Sequence, residues 1–266
     1  MVTLLLFFSF LLGLCFGSFA NVLIYRLPNN ISIITPPSHC PKCQSPIPFY
    51  QNIPVISYLI LLGKCNKCKS FIPIRYPLVE TLVGVLFWFA TYNYIIVFPP
   101  TFLNILQIFS IYIFLLFITV LMFIDLEHQI LPDKLTLPGV VLGFASSFIL
   151  PFNTPVESIL GALLGAVVPT ILILVYALRK IEAMGWGDVK LMAMVGAYLG
   201  WKGALLTFLF GSIIGTIVGG IYILLFSKDK RTPLPFGTFL GIAAIVTLFW
   251  SDLFWNWYYG FSGGLP

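Results

Sequence analysis

Apolar residues run along this chain in long blocks, without the polar/apolar alternation of a half-buried strand. Residues 1–25, 81–124, 135–156, 158–178, 203–227 and 232–251 contain no charged side chain. A helix of about 20 apolar residues crosses a hydrocarbon core of roughly 30 Å. The block 81–124 holds two such lengths, divided at Pro99-Pro100, a pair that favours a turn. A shorter block, 191–201, lies between Lys190 and Lys202 and counts provisionally as one more, giving eight. Lipid tolerates only helices or closed barrels, and a barrel needs alternation. The pattern therefore predicts an all-α polytopic membrane protein with about eight transmembrane helices.

Composition excludes the soluble alternative. Of 266 residues, 59% are apolar and 9% charged, against about 25% charged in an ordinary soluble domain. A soluble chain of this length could not bury so much apolar surface. No Lys or Arg precedes the first block and Arg26 follows it, which reads as a retained helix with its N-terminus outside. Alternating the crossings from there puts Arg26, Lys42, Lys64, Lys67, Lys69, Arg75, Lys134, Arg179, Lys180, Lys190, Lys228, Lys230 and Arg231 on the cytoplasmic side. Lys202 alone falls outside, so 13 of the 14 basic residues obey the positive-inside rule. The same rule demands two crossings between Lys180 and Lys228, which assigns the short block to one of them. Both termini fall outside. The net charge of +5 forms no basic face for nucleic acid. The expected organisation is a first transmembrane helix at 1–25, a cytoplasmic domain at 26–77, a seven-helix domain at 78–257 and a short external tail at 258–266.

Among so few charges, two aspartates stand out. Asp125 ends the third predicted span, and Asp188 stands in MGWGDVKLMAMVGAYLG at the entrance to the short one. A full-length helix ending near Trp201 would have to start near Glu182, where Gly185 and Gly187 disfavour regular helix. Asp188 is thus expected on irregular backbone, or in a locally thin membrane. Ionisable groups at membrane depth are functional candidates, and parity puts both aspartates at one membrane face. Two carboxylates sharing a cavity form the arrangement for aspartic proteolysis: one takes a proton from water, the other donates one. The bland alternative is a pair of hydrated helix-end aspartates, and spacing does not separate the two readings.

The only long polar stretch contains Cys40-Pro41-Lys42-Cys43 and, 21 residues later, Cys65-Asn66-Lys67-Cys68. Paired CxxC offers four thiolates to one tetrahedral zinc ion, and a reducing cytosolic loop disfavours disulfides. A closed four-cysteine site is structural, and a segment with so little apolar core needs its metal to fold. Cys15, inside the first helix, reads as a packing residue rather than a ligand. His39 reads as a plain loop residue and His128 as an interfacial one. Glycines in LLGLCFGSF and GSIIGTIVGG read as sites of close helix approach, and Trp255 and Trp257 as an interfacial belt.

Nearly end to end, these residues resemble the type 4 prepilin leader peptidases, membrane aspartic proteases with a GxGD motif. The resemblance is carried by Gly17-Ser18-Phe19 with Asn21-Val22 and Tyr25-Arg26-Leu27-Pro28, the paired CxxC, Asn52-Ile53-Pro54 and Arg75 to Glu80. It continues through Ile124-Asp125-Leu126, Leu131-Pro132-Asp133, Gly185-Trp186-Gly187-Asp188-Val189-Lys190-Leu191 and Pro235-Phe236-Gly237. Ala20 departs from the larger apolar residue of the family pattern. The resemblance implies that Asp125 and Asp188 are the catalytic pair. Its substrates would be pilin-like precursors with a short basic leader, cut after a glycine at the cytoplasmic face of a bacterial inner membrane. It also implies N-methylation of the new N-terminus with S-adenosylmethionine, an activity for which the sequence shows no binding motif. Pilus or secretion assembly proteins are the further partners it implies. A peptidase whose cysteine domain only docks a partner is the alternative. A transporter with intramembrane acids would require internal repeats, and the halves show none.

Overall fold

The computed structural model describes residues 2–97, 101–179, 184–226 and 234–262. The expected turn at Pro99-Pro100, the helix start near Glu182, the basic residues Lys180, Lys228, Lys230 and Arg231, and residues 263–266 of the tail lie outside these. The described residues form α1 (Val2–Arg26), α2 (Ile56–Ile60), α3 (Arg75–Val97), α4 (Phe102–His128), α5 (Asp133–Ser146), α6 (Pro155–Ala177), α7 (Trp186–Phe226) and α8 (Phe236–Ser262). No strand forms among them. Helices α1, α4, α6, α7 and α8 are long and apolar enough to cross a membrane. Helix α3, with 23 residues, reaches about 34 Å at 1.5 Å per residue. Helix α7 is broken at Gly200, whose φ of 68° is non-helical. With its halves counted separately, α1, α3 to α6, α7 and α8 give eight apolar segments, one for each predicted block.

One block differs in extent. The run 135–156 is charge-free, yet α5 has 14 residues, about 21 Å, too short for a full crossing. The Ser146 and Ser147 hydroxyls donate back to Gly143 O and Phe144 O, each at 2.7 Å, where the helix ends. A capping box between Thr154 and Glu157, with Pro155 at the first helical position, then starts α6. Hydropathy registers none of these stop and start signals.

The chain divides into two compact units, Met1–Val120 and Leu121–Pro266. In the first, α1 and α3 pack through glycine. A Cβ at Gly13 would lie 2.7 Å from Gly84 Cα, and one at Gly17 would lie 2.6 Å from Glu80 Cα. Further along, Asn21 Nδ2 donates to Tyr76 O at 3.0 Å. Pairings 13/84, 17/80 and 21/76 run in opposite directions, so the helices are antiparallel and the polar segment 27–74 leaves and returns at one end. Between α3 and α4, Thr91 bonds Tyr112 and Tyr94 bonds Gln107. These are side-chain hydrogen bonds of the kind that join helices where water is absent.

In the second unit, α6 and α7 meet at backbone distance. A Cβ at Gly196 would lie 2.0 Å from Gly161 O, and one at Gly165 would lie 2.2 Å from Met192 O. The break at Gly200 frees carbonyls that a continuous helix would satisfy. Asn153 Nδ2 donates to Ala197 O at 2.8 Å and Tyr198 O at 3.0 Å, and Ser158 Oγ to Ala197 O at 2.7 Å. Asn153 and Ser158 are fully buried. Irregular backbone inside an apolar protein is tolerable where protein groups take over the lost bonds in this way.

Candidate functional site

Asp125 stands in the last turn of α4 and is buried despite its charge. Its Oδ2 accepts two hydrogen bonds from one residue of α8: the Thr238 backbone N–H at 2.7 Å and the Thr238 hydroxyl at 3.1 Å. The hydroxyl also lies 3.1 Å from Met122 O. Pro235-Phe236-Gly237 starts α8, so the N–H of Thr238 belongs to a first helical turn, where no intrahelical acceptor exists. Asp125 therefore caps α8 from another helix, at the end where the helix dipole favours an anion. Gly237 makes this possible: a Cβ there would lie 3.0 Å from Asp125 Cγ.

Asp188 is likewise buried, in the first turn of α7. Its Oδ2 accepts from Gly185 N at 3.2 Å, so it caps its own helix. The helix starts at Trp186 and takes in Gly187, so Asp188 lies on regular helix and not on the expected irregular backbone, which among the described residues is confined to Met184 and Gly185. Leu131 joins the two carboxylate environments. A Cβ at Gly187 would meet Leu131 Cβ at 2.9 Å, and one at Gly237 would meet Leu131 Cδ1 at 3.0 Å. The structure thus brings both sequence-selected aspartates into one part of the second unit, within electrostatic reach of each other. In each, Oδ2 is engaged by fixed donors. Nearby, Lys190 Nζ pairs with Asp133 Oδ1 at 2.6 Å on the surface, linking α7 to the start of α5.

The four cysteines also converge. Their sulfurs all lie within 4.8 Å of one another, with Cys40–Cys68 at 3.8 Å and Cys43–Cys65 at 4.0 Å. Tetrahedral zinc with bonds of about 2.3 Å separates its sulfurs by about 3.8 Å, so this cluster is compatible with zinc. The two knuckles are built alike. Cys40 N donates to Ser45 O and Gln44 N to Cys40 O; Cys65 N donates to Ser70 O and Lys69 N to Cys65 O. Gln44 and Lys69 both have positive φ, and Ser45 and Ser70 each place a hydroxyl about 3 Å from a cysteine sulfur. The Cys43 backbone N–H, foremost among several donors, pulls the Cys40 thiol down to about 6. The Ser70 hydroxyl likewise lowers Cys68. Both shifts favour the thiolate, the form that binds metal.

The remaining sequence-selected residues stay apart. His39 Nδ1 bonds Pro37 O at 3.0 Å, and His128 is exposed at the end of α4. Cys15, expected to pack, is exposed on α1, on a helix surface that lipid would cover. The roles of Thr238, Leu131, Asn153 and Glu80 escaped the sequence reading, because nothing in their local pattern reveals a partner far along the chain.

Comparison with known proteins gives a consistent result. The family described as "Bacterial Peptidase A24 N-terminal domain" matches residues 11–94, and "Type IV leader peptidase family" matches residues 112–220. A protein of Legionella pneumophila named "Prepilin leader peptidase/N-methyltransferase" is 35% identical, over 94% of this chain and 93% of its own length. A protein of the same name from Pseudomonas aeruginosa is 34% identical over 96% and 93%. One from Myxococcus xanthus is 38% identical over 82% and 63%. No solved structure matches the chain.

Proposed function

Because this chain belongs to the type IV leader peptidase family, we propose that it is a membrane aspartic endopeptidase that removes the leader of type 4 prepilin-like precursors and N-methylates the new terminus. The observation that supports this best is the pair of buried aspartates, each capping a helix N-terminus around Leu131. With Oδ2 of each held by backbone N–H, the other oxygen of each carboxylate is left to handle protons. One ionised carboxylate takes a proton from water as the water oxygen attacks the scissile carbonyl. The other, protonated, donates its proton to the carbonyl oxygen, which gives a tetrahedral gem-diol. As the diol collapses, this second carboxylate takes a proton back from a diol hydroxyl and the first passes the water proton to the leaving amine. Each carboxyl returns to its starting state, so proteolysis consumes one water and no net proton from the pair.

The positive-inside count supports an inner membrane location with this site at the cytoplasmic face and both termini outside. In the first unit, Cys40, Cys43, Cys65 and Cys68 would hold a zinc ion that fixes the fold of the loop. S-adenosylmethionine would supply the methyl group as a sulfonium electrophile; no residue is assigned to it.

Incubation of the purified chain with a synthetic prepilin and labelled S-adenosylmethionine, followed by mass spectrometry, tests both activities. Asp125→Asn and Asp188→Asn should each abolish cleavage while the protein still inserts in the membrane. Full cleavage by either variant would overturn the assignment. Cys→Ser changes at the cluster should release zinc and stop methyl transfer. Retention of both activities would leave the cysteine domain a docking module.

A further inference from the structure

The segment between α1 and α3 combines three properties that a water-facing loop does not normally share. It exposes large apolar side chains: Leu59 at 64%, Ile60 at 74%, Leu62 at 81% and Phe71 at 80%. It is one-signed, since residues 27–79 contain Lys42, Lys64, Lys67, Lys69 and Arg75 and no acidic residue. Four thiolates on one divalent ion still leave it positive. It is also tied down at the helix ends from which it emerges. Arg26, buried at the end of α1, donates to Ser32 O at 2.8 Å and Pro36 O at 2.6 Å.

The second tie sets the depth of α2. Glu80 lies five residues inside α3 and is buried. Its Oε2 accepts from Val55 N at 2.7 Å, and the Ser18 hydroxyl of α1 bonds the same carboxylate. Helical side chains lean toward the N-terminus, so Val55 sits beside the first turns of α3 and not beyond them. Val55 has φ 60°, rare for a β-branched residue, so the bond holds a backbone geometry the residue would not choose. Helix α2 follows at once. Ser57 faces inward, while Ile56, Leu59 and Ile60 form one outward apolar face. Exposed apolar surface of this kind, flanked by lysines, is the pattern of an interfacial segment.

We propose that α2 and the adjoining turn at Leu62 lie in the lipid interface beside the α1/α3 pair, and that Lys64, Lys67 and Lys69 engage the phosphates of anionic phospholipids. The partner is an anionic bilayer surface. A lysine close to such a surface contributes about fivefold in affinity. The proposal rests on α1 and α3 spanning the bilayer, and not on either enzymatic activity.

The test uses the full-length, zinc-loaded chain in lipid nanodiscs. An environment-sensitive fluorescent amino acid is encoded at position 59, at exposed Gln44 of the first knuckle as the aqueous reference, or at Leu12 on α1 as the bilayer reference. Nitroxide-bearing phospholipids quench from the membrane and iodide from water. The probe at 59 should be quenched several-fold more by nitroxide lipid than the probe at 44, and less by iodide. Adding phosphatidylglycerol to phosphatidylcholine should strengthen this, and the Lys64→Gln, Lys67→Gln, Lys69→Gln variant should lose the lipid dependence. Quenching at 59 by iodide to the level seen at 44 would overturn the proposal. So would protection from both quenchers, which would mean that protein covers this face. If the probe at 12 also escapes nitroxide lipid, the spanning reading of α1 falls too; if it is quenched, only the proposal falls.

Discussion

A single residue, Thr238, gives Asp125 two hydrogen bonds, one from its backbone and one from its side chain. The backbone N–H survives substitution and the hydroxyl does not, so the two can be separated. A lost hydrogen bond to a charged group costs about 1.5–3 kcal/mol, and each 1.36 kcal/mol is tenfold in rate. Thr238→Val should therefore lower kcat for leader cleavage by about tenfold or more, with KM little changed. Thr238→Ser should restore most of it. Loss in Thr238→Ser with Thr238→Val still active would mean that the methyl group, not the hydroxyl, matters. Gly237 gives a steric counterpart. Gly237→Ala would push a methyl to within 3.0 Å of Asp125 Cγ and Leu131 Cδ1, and cleavage should fall more steeply than methyl transfer. Among the knuckle thiols, Cys40 is held at about 6 by donors led by the Cys43 N–H, below its ordinary value. Its thiolate is thus available at neutral pH and is lost as pH falls through about 6. Zinc competes with protons for the thiolates, so it should stay bound at pH 7 and be released only on acidification well below 6, as read with a chromophoric chelator.

At the scale of elements, the break in α7 is where apolar sequence and backbone chemistry part company. The block 203–227 and the short block 191–201 read as two spans because Lys202 lies between them. The break lies two residues earlier, at Gly200, where φ is 68°. Asn153 and Ser158 keep the freed carbonyls paired. A residue other than glycine at such a position costs about 1–3 kcal/mol, and its Cβ would also sit 3.1 Å from Asn153 Oδ1. Gly200→Ala should lower the melting temperature in detergent by several degrees, and Asn153→Ala should lower it too by stranding the Tyr198 carbonyl, since Ser158 still holds that of Ala197. This element also marks how far the sequence could be read. Hydropathy and charge located every long apolar segment, and the motif residues located both aspartates and all four cysteines. The short α5, the partner of Asp125 and the role of Asn153 were hidden because each depends on an atom brought near by packing. Pairings such as 125 with 238, or 153 with 197, follow no local period.

At the scale of the whole molecule, the low charge content makes orientation the sharpest remaining prediction. Thirteen basic residues assigned to one side and Lys202 to the other require eight crossings and two external termini. Yet the structure contains two segments, α5 and the first half of α7, that are shorter than a bilayer. Close approach at glycine draws the first half of α7 against α6, so neighbouring protein can shelter what lipid would otherwise have to cover. If both short segments cross, parity is preserved and Lys134 and Lys202 face opposite compartments. If one of them re-enters instead, every loop beyond it changes side. Single cysteines placed at Lys134 and Lys202, in a chain whose Cys15 is replaced by Ala and whose zinc site stays loaded, distinguish these cases. In right-side-out vesicles a membrane-impermeant maleimide should label position 202 and spare position 134. Labelling of neither position would mean that one short segment re-enters, and labelling of 134, alone or with 202, would put the end of α4, and Asp125 with it, in the other compartment.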